Sequence, residues 1–296
     1  INPAFEKLTG FSSKEIIGSK PPRPYWIKGL ESIYDQNIKT AFKKGIKNLE
    51  LPFINKNGQK FWVEVSLIPI RGDTGKIKFM LGNFVDITLR KKTYTKLEET
   101  LDNIINTLAS IVETRDPYTS GHQKRVTILS VEIAKKLKFS DEKIRFIKTA
   151  SLIHDIGKIN IPPSILSKPA RLSDIEFSIV KTHSQTGFDI IKKIHFQYPI
   201  EKVILQHHER ENGSGYPGGL KGKDIMLEAK ILGVADVVEA MSSHRPYRPA
   251  LGIEAAINEI KNNKGILYDP YVVKACIEII KDKKFSFDND PFKTII

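Results

Sequence analysis

A multidomain chain is predicted: an α+β module over residues 1–90, a helical coiled-coil segment over 91–112, and an all-α domain over 107–296. Three observations carry this reading. Residues 1–90 pass from short helical pieces into turn-separated alternating runs, the order expected of helices followed by an antiparallel meander. Apolar residues then recur at heptad spacing. Beyond about residue 107 the chain reads as helices with turn-rich connections.

In the first module, residues 2–17 read as two short helical pieces joined at Gly10, and residues 38–46 as a further helix. Strands follow. Residues 49–53, a turn at Asn57-Gly58, and the alternating bulky residues of 60–68 form a hairpin signal. A second turn at 72–75 leads into a strand over 77–85.

Tyr94, Leu97, Leu101, Ile104, Leu108 and Ile111 recur at steps of three and four, with Lys91, Lys92, Lys96, Glu98, Glu99 and Asp102 on other faces. That is the seam of a parallel two-chain coiled coil, so a homodimer through residues 94–111 and the first module is expected. The competing reading is an amphipathic helix packed on its own domain.

Helical periodicity then covers residues 126–137, 141–154, 173–194, 199–208, 227–242 and 253–261. Ser140-Asp141 starts one helix, Ser173 with Glu176 makes a capping box, and Pro199 suits a first turn. The helical run 271–280 holds Cys276, the single cysteine, which can form no internal disulfide and is expected in the core. A reducing, cytoplasmic setting follows.

Composition narrows the partners. No apolar run approaches the roughly 20 residues needed to span a bilayer, and no signal peptide precedes Ile1, so no membrane segment is expected. The net charge of +13 raises a nucleic-acid reading, but residues 1–90 hold 15 Lys and Arg against 8 Asp and Glu, so the excess is spread through both halves. Without clustering or a DNA-reading motif, DNA and RNA are not expected partners. A positive field still favours an anionic small molecule.

Five of the seven histidines, His122, His154, His183, His207 and His208, lie in one stretch beside acids or glycines. Imidazole nitrogen and carboxylate oxygen together suit divalent iron, manganese or zinc. His122 opens a helix, His154-Asp155 closes another, Gly157 permits a sharp exit, and Asp236 lies midway along a third helix. These four would hold one ion. His183, His207 and His208 would hold a second, with Asp155 bridging, and two ions about 3.5–4 Å apart form a clamp for phosphoryl chemistry. Lys158 would add positive charge to the transition state. Arg245 and Arg248 are suited to grip phosphate or a guanine edge, and Tyr216 to stack on a base. Glu209 is expected to orient a ligand histidine. His195 and His244 are expected at the surface.

Two family resemblances add to this. Asn2-Pro3-Ala4-Phe5, Leu8-Thr9-Gly10-Phe11, Glu15-Ile16-Ile17-Gly18, the Asn57-Gly58 hairpin and Asp86-Ile87-Thr88 resemble a PAS sensor domain whose opening strand should precede Asn2. Such domains hold haem, flavin or small metabolites. This segment has neither His nor Cys, which leaves a ligand-free or metabolite-binding dimerisation module.

His122, His154-Asp155 and Asp236 resemble the HD phosphohydrolase superfamily. The added His183, His207-His208-Glu209, Gly215-Tyr216-Pro217 and Arg245-Pro246-Tyr247-Arg248 resemble its HD-GYP branch. The resemblance implies a cyclic di-GMP phosphodiesterase releasing linear pGpG or GMP. It further implies an iron or manganese pair (zinc, nickel and magnesium being the other candidates), with Lys158 touching the scissile phosphate and Asp155 catalytic. The chain departs from the family at Asn212, commonly Asp, which lowers the loop's charge. It also has Tyr118 where the three-metal subgroup carries a Glu ligand, so two ions are expected. The alternatives are a catalytically weak cyclic-dinucleotide sensor, or a phosphodiesterase for another cyclic dinucleotide such as cyclic GMP-AMP.

Overall fold

A computed structural model describes residues 1–115, 121–243, 250–282 and 285–287. Its chain divides into two compact units, Ile1–Leu101 and Asp102–Ile296.

The first unit opens with α1 (Pro3–Thr9) and α2 (Ser13–Ile16), separated at a left-handed Gly10, as the sequence suggests. Asn2 caps α1, and Ser12 and Glu15 form a capping box on α2. The helix expected over 38–46 is longer and earlier: α3 is Glu31–Lys44. Its buried Tyr34 and Ala41 lie on one face, and Gly45 ends it so that Ile46 begins a strand. The strands β1 (Ile46–Ile54), β2 (Lys60–Arg71) and β3 (Ile77–Asp86) form an antiparallel sheet in sequence order. Phe53 pairs with Phe61 and Val65 with Phe84. Trp26, Tyr34, Phe53, Phe61, Val63 and Val65 make the core. Beside it lies a cavity of about 200 Å³, lined by Tyr25, Trp26, Tyr34, Phe53 and Phe84 among others.

α4 (Thr88–Arg115) begins where Thr88 Oγ1 accepts from the Trp62 N–H. Its seam residues are mostly exposed: Tyr94 64%, Leu97 53%, Leu101 51%, Ile104 51% and Ile111 46%. Ala109 and Val112, on another face, are buried, and Val112 belongs to the core of the second unit.

In the second unit, α5 (His122–Lys136) packs on α6 (Asp141–Ile153). After α6 a 3-10 turn, Ile156–Asn160, leads through α7 (Pro163–Leu166) to α8 (Asp174–Lys181) and α9 (His183–Ile191). The single helix expected over 173–194 is therefore two. Thr182 breaks it, because its N–H and its hydroxyl both turn to the Ile179 carbonyl and close a tighter turn there. Then come α10 (Ile200–Gln206), α11 (Leu227–Ser242), α12 (Ile253–Asn262) and α13 (Pro270–Ile280). Val126, Leu129, Ile147, Ile204, Ile231 and Leu232 form the centre of one apolar core. Burying such side chains contributes about 1.5–3 kcal/mol each. Cys276 lies in this core, and burial raises its thiol to about 12, which makes it a packing residue without nucleophilic character.

Candidate metal centre

Each candidate ligand stands at a helix end or faces inward from a helix middle. His122 is the first residue of α5, His154 caps the C-terminus of α6 with Asp155 next, His183 begins α9, and His207 caps α10. Asp236 lies inside α11. Three of the imidazoles are aimed the same way. The Nδ1–H of His154 donates to the Ser151 carbonyl at 2.7 Å, that of His183 to Val180 at 2.7 Å, and that of His207 to Ile204 at 2.6 Å. A carbonyl can only accept, so the proton sits on Nδ1 and Nε2 presents a lone pair to the interior.

Those lone pairs converge. His122, His154 and Asp236 form one group, and His183, His207 and His208 another, the ligand atoms of each lying within 4.8 Å of one another. His122 Nε2 is 3.3 Å from Asp236 Oδ1. Asp155 faces both groups: Oδ2 is 3.4 Å from His154 Nε2 and 3.8 Å from His122 Nε2, while Oδ1 is 3.6 Å from His183 Nε2. His183 Nε2 and His207 Nε2 stand 3.4 Å apart, both as acceptors, an arrangement that only a cation or proton between them relieves. The donor set fits two divalent ions sharing one carboxylate.

Burial governs the electrostatics. It pushes His207 down to about 3 and His208 and His183 below their usual value, with the neighbouring imidazoles adding to the shift for all three. All three are neutral near pH 7, the form that binds a metal. Burial opposes ionisation of Asp155 and Asp236, yet Lys158 with the imidazoles for the first, and His122 for the second, hold both well below the carboxylate range. His122 is raised to about 9, because Asp236 and Glu239 outweigh its burial.

Around this centre the other expected residues take distinct places. Lys158 sits on the turn after Asp155 with Nζ 2.8 Å from Asp155 Oδ2. Tyr216 stacks on the His208 ring at 4.7 Å between centroids, with the Lys181 ammonium 5.6 Å from its own centroid. Glu209 corrects the sequence reading. Its carboxylate accepts from the Gly218 N–H at 2.7 Å and the Leu220 N–H at 2.9 Å, so it organises the Gly215-Tyr216-Pro217 loop, while backbone carbonyls orient His154, His183 and His207. Glu209→Ala leaves the Gly218 and Leu220 N–H groups of the loop without their charged acceptor. It should lower stability by about 2–3 kcal/mol while both ions stay bound, as a thermal melt paired with metal analysis would show. Asn212 Oδ1 accepts from the backbone and hydroxyl of Ser214, a turn that aspartate would make equally well. His195 is exposed, as expected. Arg245, Arg248, His244 and Tyr118 lie outside the described residues.

Sequence reasoning missed Glu239. It is 1% exposed, hydrogen-bonds His122 Nδ1, and is gripped by Arg125. The available signal was its spacing, one helical turn beyond Asp236 on α11.

Comparison with known proteins gives the family. The family model described as HD domain matches residues 106–272, and that described as PAS domain matches residues 1–89. Cyclic di-GMP phosphodiesterase response regulator RpfG of Xanthomonas campestris is 38% identical over 184 residues, covering 62% of this chain and 49% of that protein. A cyclic di-GMP phosphodiesterase of Thermotoga maritima is 40% identical over 193 residues, covering 64% and 52%. The 3'3'-cGAMP-specific phosphodiesterase 3 of Vibrio cholerae is 32% identical over 197 residues, covering 66% and 43%. The chain spans about half the length of the curated relatives it matches. It belongs to the HD domain family, with a PAS domain over residues 1–89.

Proposed function

We propose that the chain is a metal-dependent phosphodiesterase that hydrolyses cyclic di-GMP, regulated through residues 1–90. The observation that carries this is the pair of largely buried groups, His122, His154, Asp236 and His183, His207, His208, with Asp155 facing both. The relatives named above are phosphodiesterases of cyclic dinucleotides, which supports the substrate class. Two divalent ions in these groups would supply a nucleophile from water at neutral pH and neutralise charge on the phosphate. Iron and manganese suit mixed nitrogen and oxygen donors.

The protein's own groups do the rest. Asp155 draws the two halves of the site together. Lys158, paired with Asp155 and only 13% exposed in its side chain, is placed to exchange that partner for a phosphate oxygen and stabilise the charge that builds there. Water adds to phosphorus, the bond to the ribose 3' oxygen breaks, and that oxygen takes a proton, giving linear pGpG. Tyr216, backed by His208, offers its remaining ring surface to a base, and Arg245 and Arg248 are proposed to bind phosphate or guanine.

The test is product chromatography with protein loaded anaerobically with Fe²⁺ or with Mn²⁺. Cyclic di-GMP should give pGpG or GMP. Hydrolysis of cyclic GMP-AMP alone would reassign the substrate, and binding without turnover would make the chain a sensor.

The seam on α4 is proposed as a dimer contact between two copies of the chain. Its support is a stripe of apolar residues at heptad spacing that stay about half exposed among the described residues. Leu97→Glu together with Leu101→Glu should halve the mass measured by analytical ultracentrifugation.

A further inference from the structure

We propose that Glu239 is the positioning residue that makes the His122, His154, Asp236 group the tighter of the two metal sites, so that the ions load in a fixed order. This rests on the two-ion reading above.

Three of the ligand histidines lean on a carbonyl three residues back along the chain. His122 differs: it is the first residue of α5, with Gly121 before it in a left-handed conformation. Its Nδ1 meets instead a carboxylate brought from α11, 117 residues away in sequence. A carboxylate partner raises the basicity of an imidazole and improves it as a ligand more than a carbonyl does.

Glu239 is itself held in place. Its Oε1 accepts from Arg125 Nε at 2.7 Å, Arg125 Nη2 at 2.7 Å and the Ser243 hydroxyl at 2.6 Å, which leaves Oε2 for His122. Arg125 stands one turn beyond His122 on α5, and Ser243 directly follows α11, so the contacts brace one helix against the other. Arg125 sets the carboxylate's direction while Asp236 and Asp155 supply the charge that the ion meets.

The two groups are therefore unequal. The first offers Asp236, a share of Asp155 and a carboxylate-backed imidazole, whereas the second offers three imidazoles beside the shared Asp155. A divalent cation meets more negative charge in the first.

Calorimetric titration of the whole chain with Mn²⁺ tests this. Wild type should bind two ions in separate steps, the first tighter by about 10-fold or more, and His122→Ala should remove that first step. Glu239→Gln keeps the shape and an acceptor but loses the charge, so it should weaken the first step by about 10- to 100-fold and leave the second unchanged. Glu239→Asp should recover part of the loss. Should Glu239→Gln fail to fold by circular dichroism, Ser243→Ala removes one brace of the carboxylate and should weaken the same step selectively. Two steps unchanged in either folded variant, or two equal sites in wild type, would overturn the role of Glu239 while leaving the two-ion reading intact. Absence of any Mn²⁺ uptake by wild type would overturn both.

Discussion

Asp155→Ala should reduce turnover of cyclic di-GMP by about three decades or more, the equivalent of about 4 kcal/mol of transition-state stabilisation. The size follows from position. Asp155 is 3% exposed, and its two oxygens face different histidine groups, so no other described residue takes its place between them. Its removal also leaves Lys158 without the carboxylate beside it, adding a cation where a second ion should bind. Steady-state kinetics with metal analysis separates the two effects: kcat should collapse, and bound metal should fall below two ions per chain. A variant that kept both ions and lost less than about tenfold in kcat would remove Asp155 from the bridging position.

Gly157→Ala should be the most damaging small substitution in the second unit. A Cβ at Gly157 would lie 1.9 Å from the His183 carbonyl oxygen and 2.6 Å from the Gly187 amide nitrogen, both backbone atoms that no rotamer change can move. The turn carrying Asp155 and Lys158 must therefore separate from the start of α9, which carries His183. Overpacking of this kind costs about 1–3 kcal/mol, and with backbone on both sides the upper end is expected. A thermal melt should show that loss, and Mn²⁺ binding should weaken because His183 moves away from Asp155. Gly233 makes a similar joint, where a Cβ would come within 2.5 Å of the His207 carbonyl oxygen. Gly233→Ala should weaken the metal site through α11.

Much of the centre was legible because its residue types are costly to bury. His154-Asp155 and His207-His208 are polar pairs inside apolar helical patterns, and their burial makes sense only with partners such as a metal. What the sequence hid was everything set by how helices pack. Glu239 looks like one more acid on α11, and only the approach of α5 turns it toward His122. Glu209 adjoins His208 in sequence, which suggested contact with a ligand ring. The loop instead curls back, so that its own amides reach the carboxylate. The break at Thr182 left no mark on the apolar pattern, because α8 keeps apolar residues such as Ile175 and Ile179 although it buries none of them. In the first module the strands were readable from alternation, whereas α3 began earlier than its strongest periodic stretch because Tyr34 packs against Trp26, with ring centroids 4.9 Å apart.

Electron paramagnetic resonance of protein loaded with two equivalents of Mn²⁺ tests the shared centre most directly. Ions about 3.5–4 Å apart across Asp155 should give an exchange-coupled, multi-line spectrum that Asp155→Ala converts to the signal of isolated Mn²⁺. An isolated six-line signal from the wild-type protein, with one ion per chain or two that do not interact, would contradict a two-metal site bridged by Asp155.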